Sequence, residues 1–295
     1  MAVRKIAFLG LLCVGFPLHL DAGSIPPSRP PKLGSAAALV KDQHSGEILM
    51  SKQADVAMPI ASITKLMTAM VVLDSRPNMN EILTIEEVDK DTLRNSTSHL
   101  SVGTRLTRRE ALLVALLASE NRAAHALGRT YHGGVPALVK AMNEKARALE
   151  LSETRFDDPT GLSDGNVSTA QDLSLLVNAA YGYSEIRACT TTGSTTLLVG
   201  RRQVRFLNTN ALVRNRRWQI GLSKTGYIEE GGRCLVMQTQ LAKRPILIVL
   251  LHSVGKNTRI GDANRIKHWL EGNKAIVRKQ SAKGKKQRSA REPHR

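Results

Sequence analysis

Ser62 and Lys65 are the pair whose types and spacing most directly allow chemistry. They lie three residues apart in Ala61-Ser62-Ile63-Thr64-Lys65, just before an apolar run over 66–73. On a helix, positions i and i+3 share a face one turn apart, so the serine Oγ and the lysine Nζ can meet. A serine is a poor nucleophile until a base takes its proton, and a lysine serves as that base only while its amine is neutral. Burial and a neighbouring second cation both lower a lysine pKa. The chemistry would be acyl transfer through a covalent serine intermediate. The pattern alone is unspecific, because Ser253-Val254-Gly255-Lys256 repeats it with no supporting context.

Two further stretches add that context. Ser119-Glu120-Asn121 is the one S-x-N in the chain and Lys224-Thr225-Gly226 the one K-T-G. The order serine-lysine, serine-asparagine, lysine-threonine-glycine is the motif set of penicillin-binding proteins and serine β-lactamases. The texts around it, residues 117–127 and 156–162, are similar to the same group. The body of the chain, 37–272, resembles the low-molecular-mass penicillin-binding proteins that act as D-alanyl-D-alanine endopeptidases.

The elements that must position these residues are partly legible. Residues 36–41 and 47–52 read as strands joined by a turn at His44-Ser45-Gly46, hence a hairpin. Ser62 opens the first core helix. Residues 82–104 read as irregular. Thr107-Arg108-Arg109-Glu110 is a capping box for a helix over the apolar run 111–118. Ser119 and Asn121 then fall in the loop that follows, where side chains can face a cleft. Helices are expected at 121–131 and 135–149, and Ser168-Thr169-Ala170-Gln171 reads as a second capping box ahead of a helix to about Tyr181. From Thr195 the texture becomes β-like: 195–199, 203–207, 219–224, 232–241 and 245–253. An amphipathic helix at 259–270 closes the body. Strands at both ends with helices between predict an α+β (α/β sandwich) fold: an antiparallel sheet flanked by helices, with an inserted mostly helical subdomain and the site at their junction.

The resemblance implies roles motif by motif. Ser62 is similar to the acylated nucleophile and Lys65 to its general base. Ser119 resembles the proton relay to the leaving amine, and Asn121 a contact to a substrate amide. Lys224 resembles the second cation that helps keep Lys65 neutral, and with Thr225 it would hold the carboxylate beside the scissile bond. Gly226 would let substrate lie close to the strand. The backbone N–H groups of Ser62 and Tyr227 would form an oxyanion hole, each donor worth about 3 kcal/mol in the transition state. The implied substrate is the D-alanine to meso-diaminopimelate cross-link of peptidoglycan, with β-lactams as covalent inhibitors. No cofactor or metal is called for. A D,D-carboxypeptidase trimming pentapeptides is the alternative, since both substrates carry a carboxylate next to the scissile nitrogen. A β-lactamase is disfavoured because no E-x-x-L-N stretch follows to prime a deacylating water. A non-catalytic wall-binding or penicillin-sensing protein is the reading from another class, and intact Ser62, Lys65 and Lys224 count against it.

The 295 residues, 42% hydrophobic and only 3% aromatic, suffice for one large aliphatic core. Arg4, Lys5 and an apolar run over 6–16, with Ala22-Gly23-Ser24 after it, read as a signal peptide over 1–23, and so predict a periplasmic protein. A Pro/Ser-rich linker is expected over 24–36. The net charge of +18 is concentrated at the end, where 273–295 holds nine Lys and Arg against one Glu. That stretch reads as a solvated, disordered basic tail. It lacks the apolar face of a membrane-lying helix, so loose attraction to anionic lipid or wall is the sharper possibility. An exported protein meets little nucleic acid, and none is expected as partner. Once Cys13 leaves with the signal, Cys189 and Cys234 remain, and spacing leaves their pairing open. Gly161-Leu162-Ser163-Asp164-Gly165 matches G-x-S-x-G but follows Asp157-Asp158-Pro159-Thr160, so it reads as a turn-rich loop rather than a nucleophile elbow. His125 and His132 have no partner ligand in the sequence, and Glu120 reads as solvent-facing.

Overall fold

The computed structural model describes residues 29–272. The expected signal peptide and basic tail lie outside the described residues. Strands β1 (Ser35–Asp42) and β2 (Ile48–Lys52) form the predicted hairpin. A two-residue strand β3 (Met58–Pro59) leads into a 3-10 turn, Ala61–Thr64, which runs on as α1 (Lys65–Asp74). β4 (Ile82–Thr84) pairs with β5 (Arg105–Thr107) across the largely irregular segment expected there. Helices α2 (Arg108–Leu117), α3 (Asn121–Arg129) and α4 (Gly134–Ala148) follow. β6 (Val167–Ser168) returns to pair with β3, then come α5 (Ala170–Tyr181) and α6 (Ser184–Thr191). β7 (Ser194–Val199) and β8 (Arg202–Leu207) make a hairpin. β9 (Gln219–Ile228), β10 (Gly232–Leu241), β11 (Arg244–Ser253) and α7 (Thr258–Gly272) complete the body.

The main sheet is antiparallel, in the order β2-β1-β11-β10-β9. Its two central partners come from opposite ends of the body: Ala38 faces Leu250 and Val40 faces Ile248. β10 and β11 are buried on successive residues rather than alternate ones, including Val236, Met237, Ile248 and Val249. Strands of that texture need cover on both faces, and α5 and α7 pack on them. Among the described residues no helix is long and apolar enough to cross a membrane.

α1 is the centre of the helical part. Every residue from Lys65 to Val72 is buried, so the helix is enclosed all round by α2 to α6. Thr107 caps α2 as predicted, with its side chain accepting from the Glu110 amide and Glu110 reaching back to the Thr107 amide. The second predicted box is displaced by one residue. Ser168 lies in β6 opposite Met58, and Thr169 is the cap of α5, accepting from the Asp172 amide. The β-like runs at 195–207 form their own hairpin and do not join the main sheet. β9 does not stop at Lys224. Pairing of Thr225 with Leu235 and Gly226 with Cys234 carries it through the glycine to Ile228, a case of long-range pairing overriding a local break signal. Cys189 and Cys234 are both buried free thiols.

Candidate active site

The site forms where the 3-10 turn, the α2–α3 loop and the edge strand β9 meet. Lys65 Nζ lies 2.8 Å from Ser62 Oγ, so the i, i+3 expectation holds in space. The same amine donates to Asn121 Oδ1 at 2.8 Å and to the Thr160 carbonyl at 2.6 Å. Lys224 Nζ donates to Ser119 Oγ at 2.9 Å and to the Thr225 carbonyl at 2.9 Å. Three motifs distant in sequence thus give two adjacent lysine–serine hydrogen bonds. Ala61 and Ser119 hold positive φ values of 49° and 61°. Non-glycine residues there store roughly 1–3 kcal/mol of strain, which the surrounding packing must offset. One strained residue precedes the nucleophile and the other is the second serine itself.

Gly226 is required by close approach. A Cβ there would lie 2.8 Å from the Ile60 carbonyl and 3.1 Å from the Ser62 amide. β9 therefore lies against the turn that carries Ser62. Thr225 Oγ1 bonds Thr209 Oγ1 at 2.6 Å, just past the β7–β8 hairpin. Tyr227 is exposed and stacks beneath Arg233, 4.4 Å from its ring centre.

Both lysines are almost fully buried, at 1% exposure each. Burial lowers the Lys65 amine to about 7, against the carboxylates of Asp158, Glu120 and Asp91, which raise it. Lys224 is pushed well below the ordinary lysine range by burial first, then by repulsion from Lys65 and Arg259. Lys65 is thus lowered by burial and not by the second cation expected beside it; the repulsion between the two amines falls on Lys224. A base that is half neutral near pH 7 is what serine activation needs.

Several contributors carry no spacing signal in the sequence. Asp158 holds the 158–166 loop through the amides of Gly161 and Ser163 and the Asn166 Nδ2, and so presents the Thr160 carbonyl to Lys65. The G-x-S-x-G match is this loop, as expected. Gly161, at φ 80°, packs on the nucleophile turn: a Cβ there would lie 2.0 Å from the Ala61 carbonyl. Ser96 Oγ accepts from Asn121 Nδ2 at 2.8 Å and fixes that amide's orientation. Arg259 keeps two buried nitrogens, Nε and Nη1, without a hydrogen-bond partner while its charge reaches Lys224. Glu120 corrects the sequence reading. It is 6% exposed and accepts from Ser98 Oγ and the His99 amide, because these loop donors cover it. His125 bonds Asp89 at 2.8 Å.

A family model described as D-alanyl-D-alanine carboxypeptidase, peptidase S11, matches residues 26–254. The chain belongs to the D-alanyl-D-alanine carboxypeptidase family. The family's enzyme class, a serine-type D-Ala-D-Ala peptidase, is therefore also this chain's. A D-alanyl-D-alanine endopeptidase of Pseudomonas aeruginosa is 45% identical over 260 residues, covering 85% of this chain and 84% of that protein. One from Escherichia coli strain K12 is 40% identical over 248 residues, 83% of this chain and 80% of that protein. Among solved structures, the Streptomyces K15 DD-transpeptidase is 28% identical, with a TM-score of 0.76 over 82% of this chain and 98% of that one. The α+β fold of the family, an antiparallel sheet with helices, is the fold found here.

Proposed function

We propose that the protein is a serine D,D-endopeptidase that hydrolyses D-alanine to meso-diaminopimelate cross-links in peptidoglycan. The observation that carries it is the pair of buried amines, Lys65 on Ser62 and Lys224 on Ser119. Neutral Lys65 takes the Ser62 proton as Oγ attacks the D-alanine carbonyl. The amides of Ser62 and Tyr227 receive the developing oxyanion. Ser119, bonded to Lys224, relays the proton taken by Lys65 to the leaving amine as the C–N bond breaks, which returns Lys65 to its neutral form. The acyl-enzyme on Ser62 is then hydrolysed by water. Lys224 and Thr225 hold the carboxylate beside the scissile nitrogen, and the unpartnered nitrogens of Arg259 add positive field to that end. Asn121 contacts a substrate amide. A bound carboxylate would restore charge to Lys224, which burial otherwise disfavours. A β-lactam acylates Ser62 by the same route and leaves slowly.

The segment 1–23 would be the exporting signal, 24–36 a linker, 37–272 the peptidase domain and 273–295 a basic tail drawn loosely to anionic membrane or wall. The site of action would be the periplasm. The name of the endopeptidase relatives supports the cross-link as substrate. A second reading, release of terminal D-alanine from pentapeptides, is supported by the description of the matching family. Digesting cross-linked dimers and pentapeptide monomers together, with Ser62→Ala as control, separates the two. Loss of dimers is the expected result. Free D-alanine with dimers untouched would give the second reading.

A further inference from the structure

We infer that Arg94 forms a donor-side subsite that reads a carboxylate on the stem peptide just upstream of the scissile D-alanine, with Glu230 occupying it in the free protein. The inference rests on the substrate placement proposed above. There the scissile carbonyl lies at Ser62 and Tyr227 while the carboxylate downstream lies at Lys224 and Thr225. The substrate therefore runs antiparallel to β9, and its upstream residues extend from Tyr227 past Ile228 toward Glu230. β9 ends at Ile228 and Glu230 stands in the turn just beyond it, so the residues of an extended stem that follow the strand end, at about 3.3 Å each, head toward that turn.

Arg94 stands at that end. Its Nη1 lies 2.9 Å from Glu230 Oε2, and its Nε donates to the Leu162 carbonyl. Both partners adjoin backbone packed near the nucleophile. Gly161, next to Leu162, meets the Ala61 carbonyl, and Gly231, next to Glu230, meets the Pro59 carbonyl. Arg94 therefore links the helical side of the cleft to the β9–β10 turn. Its own loop is held firmly. Asp91 accepts the amides of Leu93, Arg94 and Ser96, and Ser96 is the residue that fixes Asn121. A guanidinium tied by one nitrogen to a carbonyl, with its remaining edge paired to a half-exposed carboxylate, suits exchange for an incoming carboxylate. Such a pair between partly exposed groups is weak, so the exchange meets little opposition.

The test compares matched donor peptides, cross-linked or ending in D-Ala-D-Ala, with their upstream carboxylates either free or amidated. Benzylpenicillin, which lacks the stem, reports acylation of Ser62 alone. Arg94→Gln is expected to lower kcat/KM for the free-carboxylate donor by about tenfold or more, the usual worth of a charged hydrogen bond. The amidated donor and the penicillin rate should be unchanged. Glu230→Gln should raise kcat/KM for the free-carboxylate donor only. Arg94→Lys should retain part of the preference and, with thermal melting, guards against a folding defect. Equal losses on both donors and on penicillin would reduce Arg94 to a structural tie and overturn the subsite, as would no change at all. Failure of the endopeptidase reading shows separately, as dimers uncut by wild type while Ser62 is still acylated. The D-Ala-D-Ala donors then still decide the subsite.

Discussion

Ser62-Ile63-Thr64-Lys65 folds as a 3-10 turn entering α1, with Lys65 Nζ 2.8 Å from Ser62 Oγ and the amine buried. Ser253-Val254-Gly255-Lys256 has the same spacing but straddles the end of β11. Ser253 is fully buried and bonds Ser35 Oγ at 2.8 Å, while Val254 is 86% exposed and Lys256 is exposed in the turn beyond. A strand end does not bring i and i+3 together, and the exposed Lys256 lacks the burial that Lys65 has. Spacing becomes chemistry only where a helical turn closes the pair and a core dries it. The core around α1 therefore belongs to the catalytic apparatus as much as the side chains do.

The sharpest way to break this comparison is to exchange serines. Ser62→Ala is expected to abolish covalent labelling by penicillin, read by intact mass, with hydrolysis down by on the order of 10⁴-fold or more. Labelling of that variant would move the nucleophile elsewhere, and Ser253 would be the first place to look.

Next in size is the drying of Lys65. Lys65→Met keeps the side-chain volume and removes the base, so acylation should fall almost as far. Stability at neutral pH should rise, by about 1–3 kcal/mol, since a buried amine is replaced by an apolar chain. Differential scanning calorimetry checks it. The pH dependence follows from the same shift. Only the neutral amine accepts a proton, so wild-type acylation should climb as pH rises through about 7 and then level. Between about 7 and the ordinary lysine value of 10.5 the unfolded chain binds more protons than the folded one. Wild-type stability should therefore gain with pH across that window, and Lys65→Met should lose the share of that slope due to Lys65 while the share of the likewise lowered Lys224 remains.

What the sequence could reveal divides along the same line. Short-range devices were readable. The Thr107 cap, the β1–β2 hairpin, the span of β10 and the i, i+3 pair each depend on neighbours within a few residues. Residues whose role arises only from long-range packing were not. Asp158 acts on Lys65 through a loop 95 residues on in the chain, Thr209 reaches Thr225 from behind a hairpin, and Arg259 faces Lys224 from the last helix. Glu120 was misread because a charge beside a motif looks solvated until the donors of the 98–99 loop are seen over it. Extension of β9 through Gly226 likewise needed β10.

Gly226→Ala tests whether β9 must touch the nucleophile turn. The added methyl would press on the Ile60 carbonyl and the Ser62 amide, both backbone and unable to swing aside. Overpacking of that kind costs about 1–3 kcal/mol, and displacement of the oxyanion donors should lower kcat/KM by about 10- to 100-fold. A variant with unchanged kinetics would show that the turn and strand can part without harm.

The smallest effects belong to the second copy. Ser253→Ala removes one partner of Ser35, whose Oγ also donates to Asp262 Oδ2 at 2.6 Å and so ties β1 and β11 to α7. The expected cost is about 1 kcal/mol of stability, with penicillin acylation and dimer cleavage at wild-type rates. Lys256→Ala should change neither, since its ammonium is exposed. If Ser253→Ala slowed acylation as well, the end of β11 would be coupled to the nucleophile through β10 and β9. The contrast between a catalytic pair and a structural one would then fail, because both serines would act on the same turn.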